Sequence, residues 1–566
     1  MATSGIEAFI ELLSGFGVKQ IFGNPGTTEL PLNDALAADS RLKYILGLQE
    51  VPVMSMADGY AMASGSLAVV NLHISCGLGN AMGMLYNAFR EGTPLLVTAG
   101  QQDRRLAFEE PILFGDMVSV ARPWTKWVVE VNRVEELPIA IRRAAQTALT
   151  PPTGPVFMSM PIDVQLEVSD KLDMTPIQLP DPRVRPPEEA LLRAAAVLLE
   201  ASNPGILAGS RVTETDAIEE LVAVAERLGA PVLTESGTTH GRLAFPSDHP
   251  LNGQGLPLWS PEVRDRLAEF DVLLVTGMDL LRQYVYFEPG RAIPEHIRLV
   301  QIDEDPWQLG KNYPVEVGVI GHTQVSLTEL AQALDSTMTE QQHCVAKKRA
   351  DRYAAEHESN RAALRSHIDK QRSTRPLTPL GFMGALADVL PPDVALIEEA
   401  VTTTNTTFER LGVLKNTTGY FGHRGWALGW GLGCSIGVKM AWPDRPVLAL
   451  LGEGAAMYGI QGLWSAARYQ IPVTFIICNN AQYQILKIGA KGLGLPRAEQ
   501  GSFVGLDISE PEIDFVSLAN SLGVEAHRVA EPEELAERVG KSFLEGKPLL
   551  LDVAIARETP GRLEYG

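Results

Sequence analysis

The residues best suited to chemistry lie in the string LALLGEGAAMYGIQGLWSAARYQIPVTFIICNNAQY, residues 448–483. An apolar run that reads as a buried strand meets Gly452, Glu453 and Gly454; one helix and one further strand later the chain reaches Asn480. Glycines after a strand let backbone N–H groups approach a phosphate, and the helix that follows presents its positive end. Glu453 and Asn480 then close two neighbouring strands, and both offer oxygen. Hard oxygen donors suit Mg²⁺ or Ca²⁺ bridging a diphosphate. A lone glycine corner or a lone Asn-Asn turn would carry no such meaning, but the pair across two strands does.

Proton chemistry has three further carriers. Glu50 in LGLQEVPV and His73 in NLHISCG each follow an apolar strand-like run. A carboxyl buried at such a junction can share a proton, and a histidine can move one near neutral pH. Taken singly, Glu50 reads as a first-turn helix glutamate and His73 as a satisfied buried histidine. His423 in FGHRGW is a proton carrier beside Arg424, a carboxylate anchor, or both face a subunit interface. His240, His249, His322 and His527 show no metal spacing.

The elements that must hold these residues are short apolar runs alternating with helical stretches. KQIFGN, RLKYILGLQ, LAVVNLH, PLLVTAG and GPVFMSMP are strands of a first unit, residues 1–168. NPGILAGS, APVLTES, FDVLLVTG and IRLVQIDED belong to a second, 188–335. VALIEEA, RPVLALLG, IPVTFIICNN and KPLLLDVAI belong to a third, 376–558. Residues 169–187, rich in proline, and 336–375, polar and helical without a strong apolar face, read as linkers. The reading is an α/β protein of three doubly wound domains with mainly parallel sheets, whose strand ends are where ligands bind.

The 566 residues fit that count. Lys and Arg total 48 against 69 Asp and Glu, a net charge of −21. So acidic a chain argues against nucleic acid and anionic membranes as partners. Cys76, Cys344, Cys434 and Cys478 lie far apart and read as reduced, buried thiols. The first helix pattern carries two glutamates and no basic start, and no apolar run would span a bilayer, so a soluble, cytoplasmic protein is expected.

The GEG…NN pattern resembles the diphosphate motif of thiamine diphosphate (ThDP) enzymes, with Glu453 where aspartate is usual. IFGNPGTTELP, ADGYAMASG, NLHISCGLGNAMG, TPLLVTAGQQ and GPVFMSMPIDV resemble the pyrimidine-binding domain, and over the whole chain the likeness is greatest to the benzoylformate decarboxylase branch. The resemblance implies a metal held by Glu453, Asn480 and the main-chain carbonyl of Gln482. It implies cofactor contacts from Asn24, Pro25, Gly26, Asn80, Thr402, Thr404, Gly454, Ala455 and Tyr483. Glu50 would hydrogen-bond N1′ of the aminopyrimidine, Leu428 would prop the cofactor's V shape, and the Trp426 carbonyl would accept from its amino group.

Around the substrate the branch places a serine and two histidines. Here those positions are Thr27, His73 and Val285, so one proton carrier is absent and His423 is the replacement candidate. Leu113, Phe421, Ile485 and Leu486, with Val285, are the expected apolar walls, and the change at Val285 points to an altered substrate. The implied reaction is non-oxidative decarboxylation of a 2-oxo acid with joining of aldehydes, at sites shared in a homodimer or homotetramer. An acetolactate synthase-like carboligase, which a flavin in the middle domain would favour, an acyloin lyase, and a ThDP-binding paralogue without turnover are the alternatives.

Overall fold

The computed structural model describes residues 2–558 except 236–240, 258, 283–287 and 289. Its strands run β1 (Thr3–Ser4), β2 (Gln20–Asn24), β3 (Lys43–Leu46), β4 (Ala68–Leu72), β5 (Leu95–Gln101), β6 (Trp127–Glu130), β7 (Val156–Pro161) and β8 (Val168–Ser169) in the first third. The middle third carries β9 (Pro204–Ala208), β10 (Val232–Thr234), β11 (Asn252–Gly255), β12 (Val272–Thr276), β13 (Arg298–Asp303) and β14 (Val317–Ile320). The last carries β15 (Ala395–Glu399), β16 (Tyr420–Phe421), β17 (Val447–Gly452), β18 (Thr474–Asn479), β19 (Glu525–Val529) and β20 (Leu549–Ala554).

Three six-stranded parallel sheets result, ordered β3-β2-β4-β5-β7-β6, β11-β10-β9-β12-β13-β14 and β16-β15-β17-β18-β20-β19; β1 and β8 form a separate antiparallel pair. The strands with continuous apolar runs, such as β4 and β17, are buried on both faces, as parallel sheets flanked by helices require. In each sheet the first strand lies between its successor and a later one that crosses back. The crevice at such a switch point opens at the strands' carboxyl ends. It falls between β2 and β4, between β9 and β12, and between β15 and β17.

The helix Glu50–Ser64 and the helix Trp430–Ala441 press together almost backbone to backbone. A side chain at Gly437 would put its Cβ 1.9 Å from the Met56 carbonyl oxygen, and one at Gly59 2.2 Å from that of Cys434. Their side chains merge with both outer sheets in one apolar core, while the middle sheet keeps its own.

The linker helix Glu340–Gln371 lacks a strong apolar face, as expected, and buries only Ala346, Tyr353, His357, Leu364 and Ile368. Tyr353 joins the middle core, and Leu364 and Ile368 pack with Leu411. One expectation needs correction: of the cysteines, only Cys434 and Cys478 are buried; Cys76 and Cys344 are exposed. Among the described residues no helix is long and apolar enough to cross a membrane.

Candidate active site

At the first switch point, Glu50 opens its helix with the side chain 4% exposed. Its two carboxylate oxygens accept from Asn24 Nδ2 at 3.1 Å and Asn80 Nδ2 at 3.0 Å. Asn24 ends β2 and Asn80 lies on the helix Ile74–Glu91, so sheet and helix aim two amides at one carboxylate. The chain continues from Asn24 through exposed Pro25 and half-buried Gly26 to Thr27, which is exposed and opens a short 3-10 turn. His73, just past β4, lies against Gly26 so closely that a Cβ there would meet its Nδ1 at 1.6 Å. His73 Nδ1 also stands 3.3 Å from Glu29 Oε2.

Glu29 was invisible to sequence reasoning. It is 1% exposed and accepts from the N–H groups of Gly100 (2.7 Å) and Gly26 (2.9 Å) and from the Thr28 hydroxyl (2.9 Å). Such a donor set holds a carboxylate rigidly beside the imidazole. Leu113 sits over this corner, its carbonyl accepting from Ser75 Oγ at 2.9 Å and its side chain 38% exposed.

At the third switch point, the helix Glu453–Gly459 begins directly on β17. Glu453 Oε1 and Asn480 Oδ1 both accept from the Gln482 N–H, at 2.9 and 3.2 Å, so the two oxygens converge on one point. Burial raises the Glu453 carboxyl above its ordinary range, and among the described residues it makes no ion pair with Lys or Arg. The Gln482 side chain is fixed by Lys487 Nζ at 2.8 Å, and its carbonyl accepts from Gln484 N–H at 2.9 Å with one lone pair to spare. Gly454 is pressed by the Tyr483 ring, 2.5 Å from where a Cβ would stand; Ala455 follows, buried. Ile485, half-buried, and Leu486, exposed, lie on the first turn of the helix Gln484–Gly492.

Three threonines follow β15. The Thr404 hydroxyl is buried and donates back to the Ala400 carbonyl at 3.2 Å; Thr403 is buried and Thr402 half-buried.

The loop from β16 to Trp430 holds the largest corrections. Phe421 is fully buried, with the Arg242 guanidinium 4.0 Å over its ring and the tilted Trp442 ring 5.5 Å away, so it is no pocket wall. His423 is 1% exposed, stacked on Trp430 and lowered by burial to a pKa of about 3. Its Nδ1 accepts from the Trp426 N–H at 3.1 Å, and its Nε2 faces Glu399 Oε1 at 3.7 Å. It braces the loop and is not placed to carry protons. Arg424 pairs with Glu91 (3.4 Å) and Glu214 (3.1 Å), which uses up the charge a substrate carboxylate would need. Trp426 is half-buried, and Leu428 is 38% exposed at the loop's end. Val285 lies outside the described residues.

Glu399, the last residue of β15, also escaped the sequence reading. Its carboxylate accepts from the N–H groups of Gly429 (2.9 Å), Trp430 (3.1 Å) and Gly431 (2.9 Å), capping the helix that follows Leu428. Full burial pushes its pKa up to about 7.

At the middle switch point the Arg211 guanidinium is paired with Asp279 at 3.0 Å and Asp303 at 2.8 Å.

Three domain families match the chain: the thiamine pyrophosphate enzyme N-terminal TPP binding domain over residues 3–112, the central domain over 191–330 and the C-terminal TPP binding domain over 402–553. A benzoylformate decarboxylase of Pseudomonas aeruginosa is 33% identical over 96% of this chain and 98% of its own length. A probable acetolactate synthase large subunit of Methanocaldococcus jannaschii is 28% identical over 97% and 92%. The solved thiamine diphosphate-dependent 4-hydroxybenzoylformate decarboxylase of Rhodococcus jostii superposes with a TM-score of 0.85 at 29% identity, covering 99% of this chain and 100% of that one. With its three domains matched in order and a full-length relative at 33% identity, the chain belongs to the thiamine pyrophosphate enzymes.

Proposed function

We propose that this enzyme decarboxylates a 2-oxo acid of the arylglyoxylate kind without oxidation, and joins aldehydes as a side reaction. The observation that carries this reading is the group at the first switch point. Glu50 is held by two amides, and His73, just past β4, is held by Glu29 with its ring still 26% exposed. Glu50 is positioned to hold a proton against a ring nitrogen of the cofactor, and His73 Nε2 to exchange one with the substrate's oxygen.

Bound thiamine diphosphate supplies the electron sink that lets a 2-oxo acid lose CO₂. The donor set on the other side fits its metal-bridged end. A carboxylate, an amide oxygen and a main-chain carbonyl are the ligands Mg²⁺ or Ca²⁺ takes, and among the described residues no Lys or Arg pairs with the Glu453 carboxylate. The N–H groups of Gly454 and Ala455, in the first turn after β17, and the Thr402 hydroxyl suit the diphosphate. Thr27, Leu113, Ile485 and Leu486 would meet the substrate.

The acetolactate synthase-like reading has support from the Methanocaldococcus relative. Against a flavin in the middle domain stands Arg211, whose guanidinium at the switch point is already paired with two carboxylates and so is not offered to a nucleotide's phosphates. Phe108 and Ile112, 104% and 84% exposed beside Leu113, form the kind of apolar surface a second copy would cover, in keeping with a dimer or tetramer.

The deciding experiment incubates the pure protein with ThDP, Mg²⁺ and a panel of aryl and alkyl 2-oxo acids. Release of CO₂ from an arylglyoxylate is expected. Cleavage of acyloins with no CO₂ from any acid would replace decarboxylation by the lyase reading, and visible flavin absorbance in the purified protein would restore the carboligase.

A further inference from the structure

The loop that ends in Leu428 is held in a shape its own sequence disfavours. Trp426 has φ +62, the left-handed region that a bulky residue enters only under constraint. The constraint comes largely from another domain. Asn87, fully buried on the helix Ile74–Glu91, accepts from the Ala427 N–H at 3.0 Å and donates to the Ala427 carbonyl at 2.8 Å. One amide thus closes a two-way bond with the backbone of one residue, fixing the two peptide units that flank it. Gly425 passes so near that a Cβ there would lie 2.2 Å from Asn87 Oδ1.

Gly83 and Glu91 share the face of Asn87, each four residues away along the helix. A Cβ at Gly83 would touch the Ala427 side chain at 3.7 Å, and the Glu91 carboxylate accepts from the Arg424 main-chain N–H. Three successive turns of an N-terminal-domain helix therefore cradle residues 424–427 of the C-terminal domain.

We propose that Asn87, supported by Glu91, is a positioning residue: through it the N-terminal domain sets how tightly the C-terminal domain of the same chain holds the organic part of ThDP. This rests on the cofactor reading given above for Trp426 and Leu428. Without the amide, the Ala427 side of this turn loses its restraint and the bond from the Trp426 N–H to His423 is left to hold the left-handed shape, so the Trp426 carbonyl and Leu428 shift. The Glu453, Asn480 and Gln482 group is built on β17 and β18 and takes no support from Asn87.

The test titrates the full-length apoprotein, in Mg²⁺, with ThDP and separately with inorganic diphosphate, by isothermal titration calorimetry. Asn87→Ala should weaken ThDP by at least about tenfold, 1.4 kcal/mol, and leave diphosphate within about twofold. Equal ThDP affinity in variant and wild type overturns the proposal, as does equal loss of both ligands, which marks general damage. Should Asn87→Ala not fold, Asn87→Asp keeps the acceptor for the Ala427 N–H while setting an anion against the carbonyl, and it must show the same selective loss. A wild type that binds diphosphate but not ThDP overturns the cofactor reading, and this proposal with it.

Discussion

The Nδ1 atom of His73 lies 3.3 Å from the buried carboxylate of Glu29. That arrangement decides which ring nitrogen can work. A carboxylate facing Nδ1 keeps the proton there and leaves Nε2 as the basic site. The ring also lies so close against Gly26 that no side chain would fit between them. Glu29→Gln should therefore lower kcat by at least about tenfold while KM moves less than about twofold. The nitrogen NMR signals of the His73 ring should change from one tautomer to a mixture. His73→Ala should cost about 10²–10⁴-fold in kcat/KM. An unchanged tautomer together with an unchanged kcat in Glu29→Gln would remove Glu29 from the mechanism.

Glu50 separates binding from turnover. Its carboxylate is satisfied by Asn24 and Asn80, and glutamine has nearly the same shape, so the fold should survive Glu50→Gln. What is lost is the group that can hold a proton and release it. Turnover should fall by about 10²–10⁴-fold, with ThDP affinity changed far less. Initial rates and a cofactor titration on the same sample decide this. Normal rates would show that Glu50 does not touch the cofactor.

The clusters legible in the sequence are those whose members follow strands directly. Asn24 and Glu50 meet, as do Glu453 and Asn480, because parallel strands bring their carboxyl ends to one edge. Glu29, Asn87 and Glu399 were not legible. Asn87 finds its partner 340 residues away, and Glu29 finds one 71 away, on a contact that no local spacing encodes. For His423 and Phe421 the residue type was right for chemistry and the direction was not. Both side chains point into the interior, against Trp430 and under Arg242. Of the strands not read, β11 is NGQG, a turn sequence, and β19 buries only Ala526 and Val529, while β6 and β14 are only four residues long.

Glu453 carries a prediction about the metal. A buried carboxylate is costly unless a cation stands near, and among the described residues no Lys or Arg pairs with it. Mg²⁺ with ThDP should therefore raise the melting temperature of the wild type, and EDTA should strip ThDP from it during gel filtration. Glu453→Gln should lose both effects, while Glu453→Asp, one methylene shorter, should keep them at higher Mg²⁺ concentration. ThDP retained by Glu453→Gln in the presence of EDTA would show that no metal bridges this group to the cofactor.

His423 predicts how stability depends on acid. Its ordinary pKa of 6.5 falls to about 3 in the folded chain, because burial against Trp430 disfavours the charged ring. The unfolded chain takes up a proton below pH 6.5 that the folded chain refuses until about pH 3. The stabilising contribution is thus fully present above pH 6.5 and lost as pH falls toward 3, at about 1.4 kcal/mol per pH unit. His423→Gln keeps a side-chain oxygen for the Trp426 N–H and does not titrate. It should start less stable than wild type at pH 7.5, since the stacking on Trp430 is changed, and lose less on acidification. Urea unfolding at intervals from pH 7.5 to 4.5 measures the difference between the two slopes. Parallel slopes would mean that His423 takes up its proton as readily folded as unfolded, and would return it to the group of candidate proton carriers.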